Sequence, residues 1–292
     1  MAPSRGRKWQ TERGRTTIQQ IVATKIPQWA GGLRDWQVTV IAWILDGEDV
    51  LCITATGDGK SALFAVPILV LLEVAKNPAT YPGFWDQKRR TPVGLVIAPT
   101  KGLSANIIYE LQALGIPALA CTREALADAR KVGRNIAAEI ASCRWPIVCV
   151  DPEQLMNKLW EFITNCQDFR DNISFTSVDE AHLIDEWGGG EFRPSFRHLG
   201  NFVRGRLPPH VSLSALTATL MPGAPTRTVC RSLGFQTGAF HLKRKTIIYC
   251  ATIELCWRVY IFLLRLLPPG PRRLTRVRLY HAMCWPDENE PM

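Results

Sequence analysis

The chain alternates between short apolar runs and longer stretches in which apolar side chains recur every three or four positions. The runs are Asp49-Val50-Leu51-Cys52-Ile53, Val93-Gly94-Leu95-Val96-Ile97-Ala98, Ala118 to Cys121, Ile147-Val148-Cys149-Val150, Ile173 to Val178 and Val211 to Leu216. Their length and continuous hydrophobicity predict strands buried on both faces. Between them, Leu33 to Leu45 places Trp36, Val40, Ile41, Ile44 and Leu45 on one helical face and stops at Gly47. Lys60 to Glu73 predicts a helix that Pro67 should kink, and Ser104 to Leu114 and Ala125 to Ser142 predict two more. Asn77 to Pro92, rich in proline, glycine and charge, predicts a loop. Strands alternating with helices imply an α/β fold, a parallel sheet flanked by helices on both faces.

Polar clusters follow the carboxyl ends of these strands, the edge at which open α/β sheets bind ligands. Lys60, Thr100, Asp151, Asp179 and Thr217 are therefore expected to line one crevice. With 292 residues, 47% of them hydrophobic, the chain can bury a substantial core and is not a disordered protein. A net charge of +9 makes a polyanion, and nucleic acid first of all, the expected partner. The nine cysteines form no C-x-x-C pair, so neither a zinc site nor a disulfide framework is expected, only buried reduced thiols of an intracellular protein. There is no apolar signal core, and Ile261 to Leu267 is too short to span a bilayer, which predicts a soluble chain without a membrane partner. Residues 1–30 carry Arg5, Arg7, Lys8, Arg13, Arg15 and Lys25 against Glu12 alone and read as a basic flexible arm. Such an arm is a solvated tail, a phosphate contact or a nuclear address.

Two clusters carry chemistry. Ile53-Thr54-Ala55-Thr56-Gly57-Asp58-Gly59-Lys60-Ser61 runs from a strand through glycines to Lys-Ser at a helix start, the way a backbone wraps phosphates. Thr54 stands where the eight-residue pattern has its first glycine. Lys60 would reach the β and γ phosphates and Ser61 a magnesium ion, with Thr56, Gly57, Asp58 and Gly59 forming the rest of the cradle. Downstream, the strand from Ile173 ends in Asp179-Glu180-Ala181-His182. Adjacent carboxylates at a buried strand end are costly unless they meet a cation. Asp179 would bind the magnesium and Glu180 polarise the attacking water; the other reading is an acidic helix start.

These motifs, with Leu33-Arg34-Asp35-Trp36-Gln37, Ile97-Ala98-Pro99-Thr100, Asp151-Pro152-Glu153-Gln154 and Leu216-Thr217-Ala218-Thr219, resemble the ordered motifs of superfamily-two helicases. His182-Leu183-Ile184-Asp185-Glu186-Trp187-Gly188, followed by Phe192-Arg193-Pro194-Ser195-Phe196 and Leu199-Gly200, is similar to the aromatic-rich loop of the RecQ-like ATP-dependent 3′-5′ DNA helicases. The resemblance implies a RecA-like P-loop domain, ATP and Mg2+ as cofactors, and single-stranded or forked DNA as partner. It also implies a nuclear location and a place in DNA repair and recombination. By it, Gln37 contacts adenine, Lys60, Asp179 and Glu180 run hydrolysis, and His182, Thr217 and Thr219 couple the nucleotide to the nucleic acid. Thr100, Lys101, Trp187, Phe192, Arg193 and Phe196 would meet the strand, the aromatics by stacking on bases and Arg193 on phosphate. Gly188, Gly189 and Gly190 suggest that this loop is mobile.

The resemblance divides the chain into an arm (1–30), a helicase ATP-binding domain (31–240) and an incomplete start of a second RecA-like domain (241–292). In the last, Lys245 to Cys250 resembles a first strand and Tyr280-His281-Ala282-Met283 the next motif. The motif that supplies the family's arginine finger, worth about 10³ to 10⁵ in rate, is not found. On that ground the chain is expected to bind ATP, hydrolyse it slowly and not unwind, the missing motifs coming from another chain or a longer isoform. Residues 241–292 are expected to be poorly packed or docked on the first domain. Asp-Glu-Ala-His alone does not choose DNA over RNA, so an RNA helicase relative and a non-unwinding ATP- and nucleic-acid-binding module remain alternatives.

Overall fold

The computed structural model describes residues 7–188, 192–236, 239–244 and 250–266. Its strands are β1 (Asp49–Ile53), β2 (Val93–Ile97), β3 (Ala118–Cys121), β4 (Ile147–Val150), β5 (Ile173–Val178), β6 (Ser212–Thr217) and β7 (Phe240–Arg244). They pair in parallel, in the order β3-β4-β2-β5-β6-β1-β7. This is the expected α/β sheet with one carboxyl edge, along which Asp151, Thr100, Asp179, Thr217 and the phosphate loop follow one another.

The helices are α1 (Glu12–Lys25), α2 (Asp35–Leu45), α3 (Ala62–Lys76), α4 (Lys101–Ala113), α5 (Arg123–Lys131), α6 (Ile136–Ala141), α7 (Pro152–Leu155), α8 (Lys158–Asn165), α9 (Gln167–Asn172), α10 (Leu183–Glu186), α11 (Leu199–Arg206), α12 (Ala224–Ser232) and α13 (Ile253–Leu266). On one face of the sheet, α2, α3 and α4 bury Val40, Ile41, Leu63, Val66 and Ile107 against Val96 and Phe175. On the other, Trp160, Phe169, Phe196 and Phe202 close over Leu95, Val148 and Leu213. Each such fully buried side chain contributes about 1.5–3 kcal/mol relative to exposure.

The arm expected over residues 1–30 is instead a structural element from Trp9 onward. α2 and α3 are apolar on almost every side, so their outward faces need a cover. α1 supplies it, burying Ile18, Ile21 and Val22. Thr11 Oγ1 caps the helix by accepting the Gly14 N–H at 3.1 Å, and Asp46 accepts the Trp9 and Gln10 N–H groups at 3.0 and 3.1 Å. The Trp9 ring lies 4.3 Å from that of Phe84. The single helix expected over Ala125–Ser142 is two. Gly133, with φ +70°, ends α5, and Asn135 caps α6 by accepting the Ala138 N–H at 3.1 Å.

The chain forms two compact units, residues 1–245 and 246–292. The seventh strand belongs to the first: β7 pairs with β1, the His241 ring stacks 4.1 Å from Trp43, and His241 Nε2 binds Glu48. The division expected at residue 240/241 thus falls within a strand. In the second unit the described residues form α13, whose start Thr252 caps by accepting the Leu255 N–H at 3.1 Å. Most of the Lys245–Cys250 strand and all of Tyr280–Met283 lie outside the described residues.

Candidate nucleotide site and strand-end crevice

The loop from Thr54 to Ser61 leaves β1 and enters α3 by two left-handed turns, Gly57 at φ +82° and Gly59 at φ +78°. Both turns suit a residue without a Cβ. Gly59 has a second reason, since a Cβ there would lie 2.8 Å from Gln37 Nε2. That amide donates to Gly59 O at 3.1 Å and Asp58 O at 3.4 Å, while Gln37 Oε1 accepts the Arg34 N–H at 2.9 Å. Arg34 Nη1 in turn donates to Asp58 O and Asp58 Oδ1, at 3.3 and 3.2 Å. The start of α2 is therefore laced to the loop; the Arg34 contact was not anticipated, because nothing in a linear motif says that the residue before the helix faces an acid 24 positions on.

Lys60 Nζ folds over the loop and donates to Ala55 O at 3.2 Å and Thr54 O at 3.4 Å. Ser61 stands at the N-cap of α3 but its hydroxyl makes no capping bond, leaving it for other use. Across the edge, the Asp179 N–H donates to Ile97 O at 2.9 Å and the Ala181 N–H to Leu216 O at 2.9 Å, which fixes the acidic turn between β2 and β6. Burial pushes the Asp179 carboxyl up to about 6, and Glu180 adds to the rise; the Glu180 N–H bond and the nearby Lys60 ammonium oppose it. Glu180 itself has a left-handed φ of +48°, a strained conformation for a residue with a Cβ.

His182 Nδ1 lies 2.8 Å from Thr217 Oγ1 and 3.2 Å from Glu180 Oε2. Thr217 Oγ1 also accepts the Thr219 N–H at 3.4 Å. A continuous polar path thus joins Glu180, His182, Thr217 and Thr219, and Thr217 is fully buried beneath it. The Thr54 N–H donates to Thr217 O at 3.1 Å, which carries the path to the phosphate loop.

The rest of the edge differs from expectation in three places. Thr100 Oγ1 is a cap, accepting the Leu103 N–H at 3.3 Å, and the exposed Lys101 pairs with Glu124. Phe196, expected to stack on bases, is 2% exposed and part of the core; of the two phenylalanines Phe192, at 74%, is the exposed one. Trp187 lies between, half-buried, with its ring 5.8 Å from Phe192 and 5.7 Å from Phe196. Arg193 already has partners: it forks Glu153 through bonds of 2.7 and 2.6 Å, donates to Pro99 O, and lies 4.7 Å over the Phe196 ring. Burial raises the Glu153 carboxyl but that fork outweighs it, so its pKa is lowered; the buried Asp151 is raised, first by burial and then by Glu153. Gly189 and Gly190 lie outside the described residues.

Oxygen donors suit magnesium, a hard cation that takes one or two carboxylates plus phosphate and water. Ser61 and Asp179 provide such a set, and a divalent cation beside Asp179 would offset the burial that raises its pKa. No cluster of three or more His, Cys, Asp or Glu side chains able to hold a metal occurs among the described residues. Nor, among them, is any helix long and apolar enough to cross a membrane.

Residues 34–227 match the family model described as DEAD/DEAH box helicase. The ATP-dependent DNA helicase RecQ of Pasteurella multocida is 29% identical over 205 residues, 70% of this chain and 28% of that protein. The DUF1998 helicase MrfA bound to DNA and AMPPNP superposes with a TM-score of 0.56 at 17% identity, over 85% of this chain and 34% of that one. The DEAD-box helicase Mss116 bound to ssRNA and UDP-BeF gives 0.53 at 18% identity, over 78% and 43%. These structural likenesses concern the fold, and the chain spans about a quarter of the length of the RecQ relatives, 28% and 25% of the first two.

Proposed function

Because the chain belongs to the DEAD/DEAH box helicase family, we propose that it binds ATP with magnesium at the Thr54–Ser61 loop and hydrolyses it in response to single-stranded DNA, as part of a RecQ-type 3′-5′ helicase. The observation that carries this reading is the polar path from Glu180 through His182 to Thr217, which ends on the phosphate loop. The 29% identity to RecQ supports the choice of DNA. A nuclear location and a part in repair or recombination would follow from that choice.

In this mechanism Lys60 exchanges its two carbonyl partners for phosphate oxygens, a gain because the ammonium then faces full negative charges in place of neutral dipoles. Ser61 and Asp179 would hold a magnesium ion, which when bound would supply positive charge to the phosphates. Glu180 orients and polarises the attacking water. His182 senses the change at Glu180 and passes it to Thr217, and the Thr219 N–H moves with it. Phe192 offers a ring to an unpaired base, and Lys101 a cation to a phosphate.

The test is calorimetric titration of ATP with magnesium into the wild type and Lys60→Ala, followed by turnover with and without single-stranded DNA or RNA. Binding lost in Lys60→Ala and turnover stimulated by DNA support the reading. Unchanged affinity in that variant would sink the nucleotide site, and stimulation by RNA alone would move the chain to the RNA helicases. Glu180→Gln should keep binding and lose turnover.

A further inference from the structure

The corner of the crevice where a strand is expected holds more acid than base. Lys101 and Arg193 are its cations, and Asp151 feels both of them together with Glu153 and Glu124, so two positive charges meet three negative ones in a chain of net charge +9. Arg193 is engaged on every side: its Nε and Nη2 fork Glu153 at 2.7 and 2.6 Å, and its Nη1 donates to Pro99 O. The Ser195 hydroxyl gives Glu153 a further bond at 3.0 Å, and the guanidinium lies 5.4 Å over the Trp187 ring and 4.7 Å over that of Phe196. Lys101 is paired with Glu124, and Asp151 is buried with its Oδ1 lacking a hydrogen-bond partner among the described residues. A phosphodiester brought to Lys101 or Arg193 must therefore displace a carboxylate, and at Arg193 one that already binds in the planar, bidentate way a phosphate would.

We propose that Glu153 is a built-in competitor of the nucleic-acid phosphate: it holds Arg193 in a fork, and a strand gains Arg193 only by taking it from that fork. The inference rests on the nucleic-acid reading above. Breaking the fork offsets much of what the new bond to phosphate contributes, so the exchange stabilises the complex less than a free arginine would. Lys101 and Glu124 repeat the arrangement more weakly, because both side chains are more than half exposed. The consequence has an unusual sign. Deleting an acid that is not itself a contact to the strand should tighten the grip, and should do so through one named arginine.

Removing any acid from this corner also removes repulsion, so the test has to separate the bond from the charge. The variants are Glu153→Gln, Arg193→Ala, the double substitution, and Asp151→Asn, which takes an acid from the same corner without breaking the fork. Each binds a fluorescein-labelled oligodeoxythymidylate, read by anisotropy at one fixed low salt concentration and pH 8. Glu153→Gln should bind about three- to tenfold more tightly than wild type, the range expected for one charge-assisted fork net of solvation. Asp151→Asn should gain no more than about twofold. The double variant should bind within about twofold of Arg193→Ala, because without the arginine there is nothing for Glu153 to withhold. The fork lies at the surface, so the melting temperature of Glu153→Gln should stay within a few degrees of wild type.

A Glu153→Gln variant that binds no tighter than wild type overturns the inference. So does a gain that survives undiminished in the Arg193→Ala background, or one that Asp151→Asn matches, because Glu153 then acts by its charge alone. Absence of saturable binding by wild type and every variant would instead overturn the nucleic-acid reading.

Discussion

Gly59→Ala is the substitution whose cost the geometry specifies most fully. With φ at +78°, an added Cβ costs about 1–2 kcal/mol in backbone strain. The new atom would also lie 2.8 Å from Gln37 Nε2, so the amide end of that side chain must shift. Gln37 must then give up its bonds to Gly59 O and Asp58 O, each worth about 1 kcal/mol. The total of about 3–4 kcal/mol against the phosphate-binding conformation corresponds to at least about a hundredfold in affinity for ATP with magnesium. Gly57→Ala is the control. It has the same strain, φ +82°, but its Cβ meets nothing within 4 Å, so a loss of about tenfold is expected. Adding Gln37→Ala to Gly59→Ala should cost little more, since the bonds it deletes are already lost in Gly59→Ala. Calorimetric titration at 25 °C measures all four proteins. Equal losses in Gly59→Ala and Gly57→Ala would refute the reasoning, because the Gln37 contact would then carry nothing.

The two phenylalanines of the aromatic segment should separate cleanly. Phe196→Ala should lower stability by about 3–5 kcal/mol in urea denaturation, whereas Phe192→Ala should leave it within about 0.5 kcal/mol and weaken single-stranded DNA binding; matching stabilities would contradict the burial difference. Glu139 offers a pH test, its carboxyl held down to about 2, first by the Arg134 hydrogen bond, against burial and with help from the Trp145 N–H. A folded pKa below the unfolded value stabilises at neutral pH and is lost as pH falls from about 4.3 toward 2. Melting curves of wild type and Glu139→Gln should therefore differ most above pH 5 and converge near pH 2, and a gap that widens on acidification would reverse the sign.

What could be read from sequence was whatever depends on neighbours along the chain. Strands buried on both faces are continuous apolar runs, so β1, β3 and β4 fall where the runs do, and their common direction follows from the helices between them. The phosphate loop and the Asp179–His182 turn are likewise local. α1 was hidden because six cations dominate residues 1–30, while the spacing of Ile18, Ile21 and Val22, which marks a buried face, is short. Phe192 and Phe196 look alike in sequence, and only the turn at Pro194–His198 sends one ring to solvent and the other into the core. Arg193 and Arg34 were misjudged or overlooked for one reason: each is answered by a carboxylate far away along the chain, Glu153 and Asp58.

The left-handed backbone of Glu180 sets two pressures against each other. Its strain, about 1–2 kcal/mol, is a noticeable part of the 5–15 kcal/mol that holds a typical domain together. Glycine at the same position would be free of it, so folding by itself pulls the sequence away from glutamate. The carboxylate at residue 180 is therefore held at a cost to the fold, and whatever it contributes lies outside the stability of the domain.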